Sequence, residues 1–314
     1  MTGNLDFAGA LARVRPHAWR TPVVPMDLPV AAPACMKLES LQHTGSFKVR
    51  GAANRLHKLS AREREAGVIA ASSGNHGRAV ATVAARLGTP ATICVPDWVD
   101  PSKLRAIRAT GARVVMAGPS YDEAEERAAT MSETAGMSLV HAFDDPDVIE
   151  GQGTLGVEIA RQLPEVEEVI VPLSGGGLVA GVGLALRDRG VRVVAVSARR
   201  ACVMFRSLET GRPIELPDEE TIASALSGGI GLDNRLTFAV CGSVINEHVV
   251  VDESDIRAAV RRAFREDRLV VEGGGAVGLA ALWSGHYRPQ GPVAVIVSGG
   301  NVDRSLLKSL VVGG

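Results

Sequence analysis

Short apolar segments rich in β-branched residues alternate with helical patterns along most of the chain. The first series contains GVIAAS, ATICVP, ARVVMAG and SLVHAF, and helices are predicted from about Gly77 to Leu87, after Pro101 and from about Tyr121. A second series contains VEEVIVPL, VRVVAVS and GPVAVIV, again with helical segments between them. Short strands separated by amphipathic helices are typical of crossover units on a parallel sheet. The pattern therefore predicts an α/β protein with two such layers.

The length of 314 residues favours two domains, because single hydrophobic cores rarely grow beyond about 300 residues. The segments MKLES and SFKVRGAANRLHKL precede the first series and need a sheet to pack on, so we assign them to the second. We expect a large domain of residues 1–67 and 145–314, with a small domain of residues 68–144 inserted into it. Because the sequence ends shortly after VSGGNVD, we expect no appended regulatory domain.

Charge and cysteine usage narrow the class of partner. The 34 Lys and Arg residues nearly balance the 35 Asp and Glu residues, and no long block of one sign occurs. We therefore expect a small-molecule partner, with no nucleic acid and no membrane. Cysteines without a CxxC pair argue against a zinc site and a disulfide framework; they are Cys35, Cys94, Cys202 and Cys241. The N-terminus lacks a signal peptide, so we expect a cytoplasmic protein.

The first of three glycine-rich turns is SGGGLVAG, which follows the predicted strand VIVPL and opens a helix. Free backbone N–H groups at a helix start suit a phosphate. Gly175, Gly177 and Ala180 also fit a loose dinucleotide-binding pattern, but the next strand ends in Ser197 instead of an acidic residue. A nucleotide sensor is therefore the weaker interpretation.

Two further turns follow strands, where ligands bind in open parallel sheets. SSGNHG, residues 72–77, offers hydroxyl, amide and backbone N–H groups that suit a carboxylate, although a simple helix cap is equally consistent. SGGN places the hydroxyl of Ser298 at a strand end, and TGSFKVRGA contributes the amine of Lys48. A phosphate site, a carboxylate site, a neutral hydroxyl and an amine together match pyridoxal 5'-phosphate with an amino-acid substrate.

Six ordered motifs resemble the serine/threonine dehydratases among the fold-type II pyridoxal-phosphate enzymes: KLESLQHTGSFKVRGA, ASSGNHGRAVA, HAFDDPDVIEGQGTLGVEI, VPLSGGGLVAG, VEGGGAVGLAAL and VSGGNVD. The resemblance spans nearly the whole chain. It implies a tryptophan synthase β-like fold, with two open twisted sheets flanked by helices. LSGGIGLDNRLTF and REDRLVVEG look most similar to dehydratases of hydroxyectoine utilisation and to their threonine dehydratase-like relatives.

The resemblance also implies residue roles. Lys48 would bind the cofactor covalently and then act as general base at the substrate α-carbon. The cofactor would be held by Phe47, Lys48, Asn75, Gly175, Gly176, Gly177, Leu178 and Ser298. The substrate carboxylate would be held by Ser72, Ser73, Gly74, Asn75 and His76.

The reaction implied by the resemblance is dehydration and deamination of a β-hydroxy-α-amino acid to a 2-oxo acid and ammonia. A neutral Ser298 opposite the pyridine nitrogen would favour loss of the β-hydroxyl over full charge delocalisation into the ring. Threonine, serine, an aryl-serine and 3-hydroxyaspartate all stay open as substrates. The family usually forms dimers or larger assemblies, so a homo-oligomer is expected.

Two departures from the family pattern leave alternatives open. Ser73 stands where serine racemases carry a second base, so a racemase or a dual racemase-dehydratase is an alternative; Ser73 could instead only bind the carboxylate. Ser197 stands where many relatives have an acidic metal ligand, so we expect no metal. A catalytically inactive ligand-binding protein is the alternative of another class, against which the retained Lys48 argues.

Five further polar residues have ambiguous roles in the sequence. His43, His76 and His141 are expected to be structural instead of catalytic. Glu272 could approach the cofactor or substrate, or could form only a buried hydrogen bond. Arg78 could be a surface cation or a second anchor for an anionic substrate.

Overall fold

The structure is a computed structural model. It describes residues 5–28, 32–72, 74–97, 99, 101–118 and 121–312. Within these residues no helix is long and apolar enough to cross a membrane.

The strands are β1 (Val23–Met26), β2 (Ala34–Leu38), β3 (Val68–Ala71), β4 (Ala91–Val95), β5 (Arg113–Met116), β6 (Ser138–Leu139), β7 (Glu168–Pro172), β8 (Arg192–Ala198), β9 (Glu247–Val251) and β10 (Val293–Val297). The α-helices are α1 (Phe7–Val14), α2 (Lys48–Lys58), α3 (Ala61–Ala66), α4 (Asn75–Leu87), α5 (Pro101–Arg108), α6 (Tyr121–Ala135), α7 (Pro146–Gln162), α8 (Gly177–Leu186), α9 (Val203–Thr210), α10 (Leu236–Val244), α11 (Glu253–Arg265), α12 (Gly273–Trp283) and α13 (Arg304–Val312). Single 3₁₀ turns occur at Glu39–Leu41, Arg187–Arg189 and Ser224–Leu226.

The larger sheet has six strands in the order β1-β2-β10-β7-β8-β9. All neighbouring pairs are parallel except β1 with β2, which is an antiparallel pair at one edge. The central strands β7 and β10 are buried along their whole length. Strands covered by helices on both faces read as continuous apolar runs, which explains why EVIVP and VAVIV show no alternation.

The smaller sheet has four parallel strands in the order β5-β4-β3-β6. These strands all lie within the segment predicted to form an inserted domain. The prediction of an α/β fold with two sheets flanked by helices is confirmed. The division of the chain into domains at residues 68 and 144 stays a prediction.

Helix α2, which begins at Lys48, packs between the layers. Its apolar side chains, among them Val49 and Leu56, join the core formed by β3, β4 and α4. Its other face crosses α7 so closely that a Cβ on Gly151 would lie 2.6 Å from the carbonyl oxygen of Arg50. From the sequence, α2 is expected in the large domain. The apolar face of α2 nevertheless packs into the core beside the small sheet.

A buried ionic network lies under α2. Arg50, fully buried, donates to both oxygens of Glu39 at 2.8 Å and to Oε1 of Glu158 at 2.8 Å. Lys37, also fully buried, donates to Oε2 of Glu158 at 2.7 Å. Two cations and two carboxylates thus compensate one another, as buried charges must. The network fixes the start of α2, and with it Lys48, against β2 and α7.

Candidate active site

The segment that carries Lys48 is attached to the end of the central strand β10. The amide of Phe47 donates to the carbonyl of Ser298 at 3.1 Å, and Ser46 forms a bridge with Gly299. The carboxyl ends of parallel strands are where ligands bind in open α/β sheets. This attachment places Lys48 at that edge of the larger sheet.

The amine of Lys48 lies in a largely apolar setting. Its Nζ donates to the carbonyl oxygen of Ala142 at 2.7 Å and lies 5.3 Å from the centre of the Phe47 ring. Burial disfavours the ammonium form and lowers the pKa of Lys48 to about 8. A substantial neutral fraction near neutral pH makes this amine suited to nucleophilic attack on an aldehyde.

The glycine-rich turn after β7 leads directly into α8. Gly176 has φ +86°, in the left-handed region, and a Cβ there would lie 2.7 Å from Sγ of Cys241. A Cβ on Gly175 would lie 2.2 Å from Cδ1 of Phe143. Only glycine fits these positions, so the turn exposes unobstructed N–H groups at the start of α8, which suits a phosphate.

The loop after β6 closes over this turn. Phe143 packs against Gly175 and Gly177, and the next residue, Asp144, accepts hydrogen bonds from the backbone N–H groups of Leu236 at 3.0 Å and Thr237 at 2.7 Å. Asp144 therefore joins the loop to the first turn of α10. A carboxylate at the N-terminus of a helix is stabilising, because it interacts favourably with the positive end of the helix dipole.

Asn75, at the start of α4, joins a chain of polar side chains that crosses the crevice. Its Nδ2 donates to Oε1 of Glu272 at 2.6 Å, and its Oδ1 accepts from Nδ2 of Asn301 at 2.7 Å. Arg78 donates to Oδ1 of Asn301 at 2.8 Å. Burial raises the pKa of Glu272 to about 7, although the hydrogen bond from Asn75 lowers it. The chain links α4 to the loops that follow β10 and precede α12.

In the SSGNHG segment the hydroxyl of Ser72 accepts from the N–H of Gly74 at 3.2 Å. The imidazole of His76 donates from Nε2 to the carbonyl of Val140 at 2.8 Å and is buried, which lowers its pKa to about 3. His76 is therefore a neutral side chain already engaged in a structural bond. Ser73, the predicted second base, lies outside the described residues. Carboxylate binding by this segment stays a prediction.

Two serines lie at the carboxyl ends of β10 and β8, the strands on either side of β7. Ser298 follows β10 and is 5% exposed, beside the Lys48 segment. Ser197, in β8, is 1% exposed and its hydroxyl donates to the carbonyl of Leu173 at 3.4 Å. The hydroxyl of Ser197 is therefore buried and engaged with the backbone, and the absence of a metal stays a prediction.

Sequence patterns could not reveal three of the contacts at the site. The Asn75–Glu272 and Asn75–Asn301 bonds join residues 197 and 226 positions apart, and no local motif pairs them. The third is the 3.4 Å contact between Nε2 of His141 and Oε1 of Glu125. His43, by contrast, contacts the carbonyl of His17 and Arg86 away from Lys48, consistent with a structural role.

Comparison with known proteins agrees with this geometry. The family model described as "Pyridoxal-phosphate dependent enzyme" matches residues 14–299. The chain belongs to this family. An L-threonine ammonia-lyase of Thermotoga maritima is 40% identical over 278 residues, which cover 88% of this chain and 69% of that protein. A serine racemase of Oryza sativa is 35% identical over 309 residues, covering 95% and 90%. The structure of maize serine racemase superposes with a TM-score of 0.91 at 33% identity, covering 98% and 96%.

Pyridoxal phosphate is the cofactor of this family, and the residues of this chain fit it. Lys48, a buried amine with a lowered pKa, donates to the carbonyl of Ala142, and the next residue, Phe143, packs against the glycine turn whose N–H groups open α8. Asn75 and Ser298 supply neutral hydrogen-bonding groups at the same edge. The protein is a pyridoxal-phosphate enzyme with threonine ammonia-lyase and serine racemase relatives.

Proposed function

We propose that the protein dehydrates and deaminates a β-hydroxy-α-amino acid, of the threonine and serine type, to a 2-oxo acid and ammonia. The observation that carries this proposal is the buried amine of Lys48, whose Nζ donates to the carbonyl of Ala142, next to Phe143, which packs against Gly175 in the turn that opens α8. The threonine ammonia-lyase relative supports the direction of the reaction. Ser298 is predicted to face the pyridine nitrogen of the cofactor. Its hydroxyl, unlike a carboxylate, would not stabilise a protonated pyridine ring, so elimination is favoured over reactions that need one.

Pyridoxal phosphate, when bound, withdraws electrons from the substrate α-carbon and so makes its proton acidic. Lys48 would take that proton, since a neutral amine with a pKa of about 8 is a suitable base near neutral pH. The β-carbon then loses its hydroxyl with the bonding electron pair, and proton and hydroxyl leave together as water. The enamine product tautomerises to an imine, and water hydrolyses this to the 2-oxo acid and ammonium.

The remaining groups would bind and orient the cofactor and the substrate. The N–H groups of Gly175 to Leu178 would hold the phosphate, and the segment from Ser72 to His76 would hold the substrate carboxylate through its backbone and hydroxyl groups. Phe143 packs against Gly175 and Gly177 and so helps to position the glycine turn. Preorganised donors of this kind need no rearrangement when the substrate arrives.

The test is a substrate panel with the purified, cofactor-loaded protein. L-Serine, D-serine, L-threonine, phenylserine and threo-3-hydroxyaspartate would be supplied in turn, and 2-oxo acid and chiral amino acid would be measured together. Oxo acid from at least one of these substrates supports the proposal. No oxo acid from any of them would refute it.

Racemisation is the second candidate, supported by the serine racemase relatives and by the serine at position 73. A racemase needs bases on both faces of the α-carbon, and Ser73 with Lys48 would supply them. Inversion of serine without net oxo acid would favour this function. A Ser73→Ala variant that loses inversion but keeps elimination would assign Ser73 as the second base.

We also propose a homodimer in the cytoplasm. The resemblance to a family that usually forms dimers or larger assemblies supports the dimer, and free cysteines fit a reducing compartment. Sedimentation of the loaded protein would test it, and a mass that stays at one chain across concentration would contradict the dimer.

A further inference from the structure

Four polar side chains form a continuous hydrogen-bonded row between α4, the loop after β10 and the residue that precedes α12. We call it the polar row, and its members in order are Arg78, Asn301, Asn75 and Glu272. The three bonds along the row measure 2.8, 2.7 and 2.6 Å. Two members are amides, and turning an amide by 180° exchanges its donor and acceptor ends. The partners of each amide therefore decide which end it presents to a ligand.

The orientation of the Asn301 amide is set by two groups that each allow only one choice. A guanidinium has donors only, so the atom of Asn301 that faces Arg78 is the oxygen Oδ1. The Nδ2 group lies on the other side, where it donates to the carbonyl of Thr44 at 2.8 Å. A carbonyl can only accept, so Thr44 requires the same orientation. The second N–H of Asn301 is thereby directed to Oδ1 of Asn75.

The amide of Asn75 is fixed in turn by this donor. Its oxygen accepts from Asn301, so its Nδ2 group faces the carboxyl of Glu272. Glu272 alone would not fix the amide, because burial raises its pKa to about 7 and a partly protonated carboxyl can accept or donate. Asn301 therefore supplies the unambiguous partner.

One donor of Asn75 is left for a ligand. An amide nitrogen carries two N–H groups, and within the described part of the chain Nδ2 of Asn75 donates only to Glu272. Asn75 is partly exposed at the start of α4, whereas Glu272 is buried. The second N–H is thus available to a bound molecule.

The polar row packs closely against the segment that precedes α2. A Cβ on Gly45 would collide with Oδ1 of Asn301, and a Cβ on Gly299 would collide with Oε1 of Glu272. The N–H of Gly300 also donates to the carbonyl of Gly45 at 2.9 Å. Close packing of this kind leaves the row little room to rearrange. The free donor is therefore held in place relative to the start of α2.

We propose that Asn301, oriented by Arg78 and by the carbonyl of Thr44, is a positioning residue for the cofactor: it holds the Asn75 amide with a nitrogen donor toward the ring hydroxyl of pyridoxal phosphate. The oxygen of that hydroxyl, when ionised, accepts hydrogen bonds, and a reversed amide would present a second acceptor to it. The inference rests on the predicted contact of Asn75 with this oxygen. It does not depend on the reaction, since elimination and racemisation use the same bound cofactor.

A double-mutant cycle that measures cofactor affinity and the visible spectrum of the loaded protein tests this role. Asn301→Asp keeps the size of the side chain and can still accept from Arg78, but it cannot donate, so the Asn75 amide should turn its nitrogen toward position 301. Asn75→Ala removes the amide, and the double variant completes the cycle. Asn246→Asp is the matched control, because Asn246 is exposed and the oxygen that accepts from the N–H of Val193 is retained.

Asn301→Asp and Asn75→Ala should each weaken cofactor binding about tenfold, because each removes the donor to the ring hydroxyl. Both should also shift the visible band in the same direction, since the ring hydroxyl is part of the chromophore. The double variant should bind no more weakly than Asn75→Ala, and Asn246→Asp should match the wild type. Arg78→Met, which leaves Asn301 held by Thr44 alone, should show a smaller loss that also vanishes in Asn75→Ala. If Asn301→Asp does not fold, Arg78→Met takes its place in the cycle.

A loss of affinity in Asn301→Asp that persists in full in the Asn75→Ala background would overturn the inference, because Asn301 would then act through the Thr44 segment. Unchanged affinity and spectrum in Asn301→Asp or in Asn75→Ala would overturn it as well. The proposed reaction is tested separately. Oxo acid formed by a protein whose cycle fails refutes only the role of Asn301, and the predicted cycle without oxo acid from any β-hydroxy amino acid refutes only the dehydratase function.

Discussion

Replacing Arg50 with leucine should destabilise the protein far more than removal of a surface arginine. Arg50 and Glu39 are both fully buried, and the guanidinium also compensates Glu158. The variant leaves two carboxylates buried without that cation, a change that typically costs about 3–5 kcal/mol. Arg199→Leu is the control, because its pair with Asp252 is 56% and 45% exposed, and exposed ion pairs contribute little to stability.

The magnitude translates into a measurable melting shift. With about 2.1 cal/mol/K of unfolding entropy per residue, a chain of 314 residues has roughly 0.7 kcal/mol/K. The Arg50→Leu variant should therefore melt about 4–7 °C below the wild type, and Arg199→Leu much closer to it. Differential scanning calorimetry of both variants would measure this. Equal shifts for the two variants would refute the reasoning that burial makes this network essential.

Three further predictions concern the site and its surroundings. Gly176→Ala should lower cofactor affinity at least tenfold in an absorbance titration, because Gly176 has a φ of +86° and a Cβ there would meet Cys241. Gly242→Ala is the control and should bind the cofactor normally, because its Cβ would meet its nearest neighbour at 3.4 Å. Burial lowers the pKa of His17 to about 4, so the unfolded chain takes up a proton at this residue before the folded protein does. The contribution of His17 to the free energy of unfolding is therefore fully present above pH 6.5 and declines toward pH 4. Unfolding midpoints of His17→Phe should fall less over that range than those of the wild type. Burial raises the pKa of Glu272 to about 7, so Glu272→Gln should remove a transition near pH 7 from the visible spectrum of the loaded protein; an unchanged spectral titration would contradict this.

Most strands after residue 68 could be predicted because buried parallel strands are continuous apolar runs between amphipathic helices. The edge strands β1 and β9 were not predicted. β1 is only four residues long and contains Pro25, and β9 is EHVVV, with mixed burial at an edge. Helix α4 begins two residues before its predicted start, because Gly74 has a non-helical conformation and Asn75 already begins the first turn.

The site residues also fall into two groups, those that the sequence marks and those that it does not. Lys48, the glycine turn and Ser298 are marked in the sequence by their position after strands or within a motif. Glu272 and Asn301 contribute through contacts between segments far apart in the chain. Such contacts depend on how the two sheets face each other, which no local pattern encodes.

Covalent attachment of the cofactor to Lys48 is the central claim. The protein would be loaded with pyridoxal phosphate, reduced with borohydride, digested and analysed by mass spectrometry, with Lys48→Ala treated in parallel. The account predicts a phosphopyridoxyl adduct on the peptide that contains Lys48, and no adduct in the variant. An adduct on another lysine of the wild-type protein, or none at all, would contradict it.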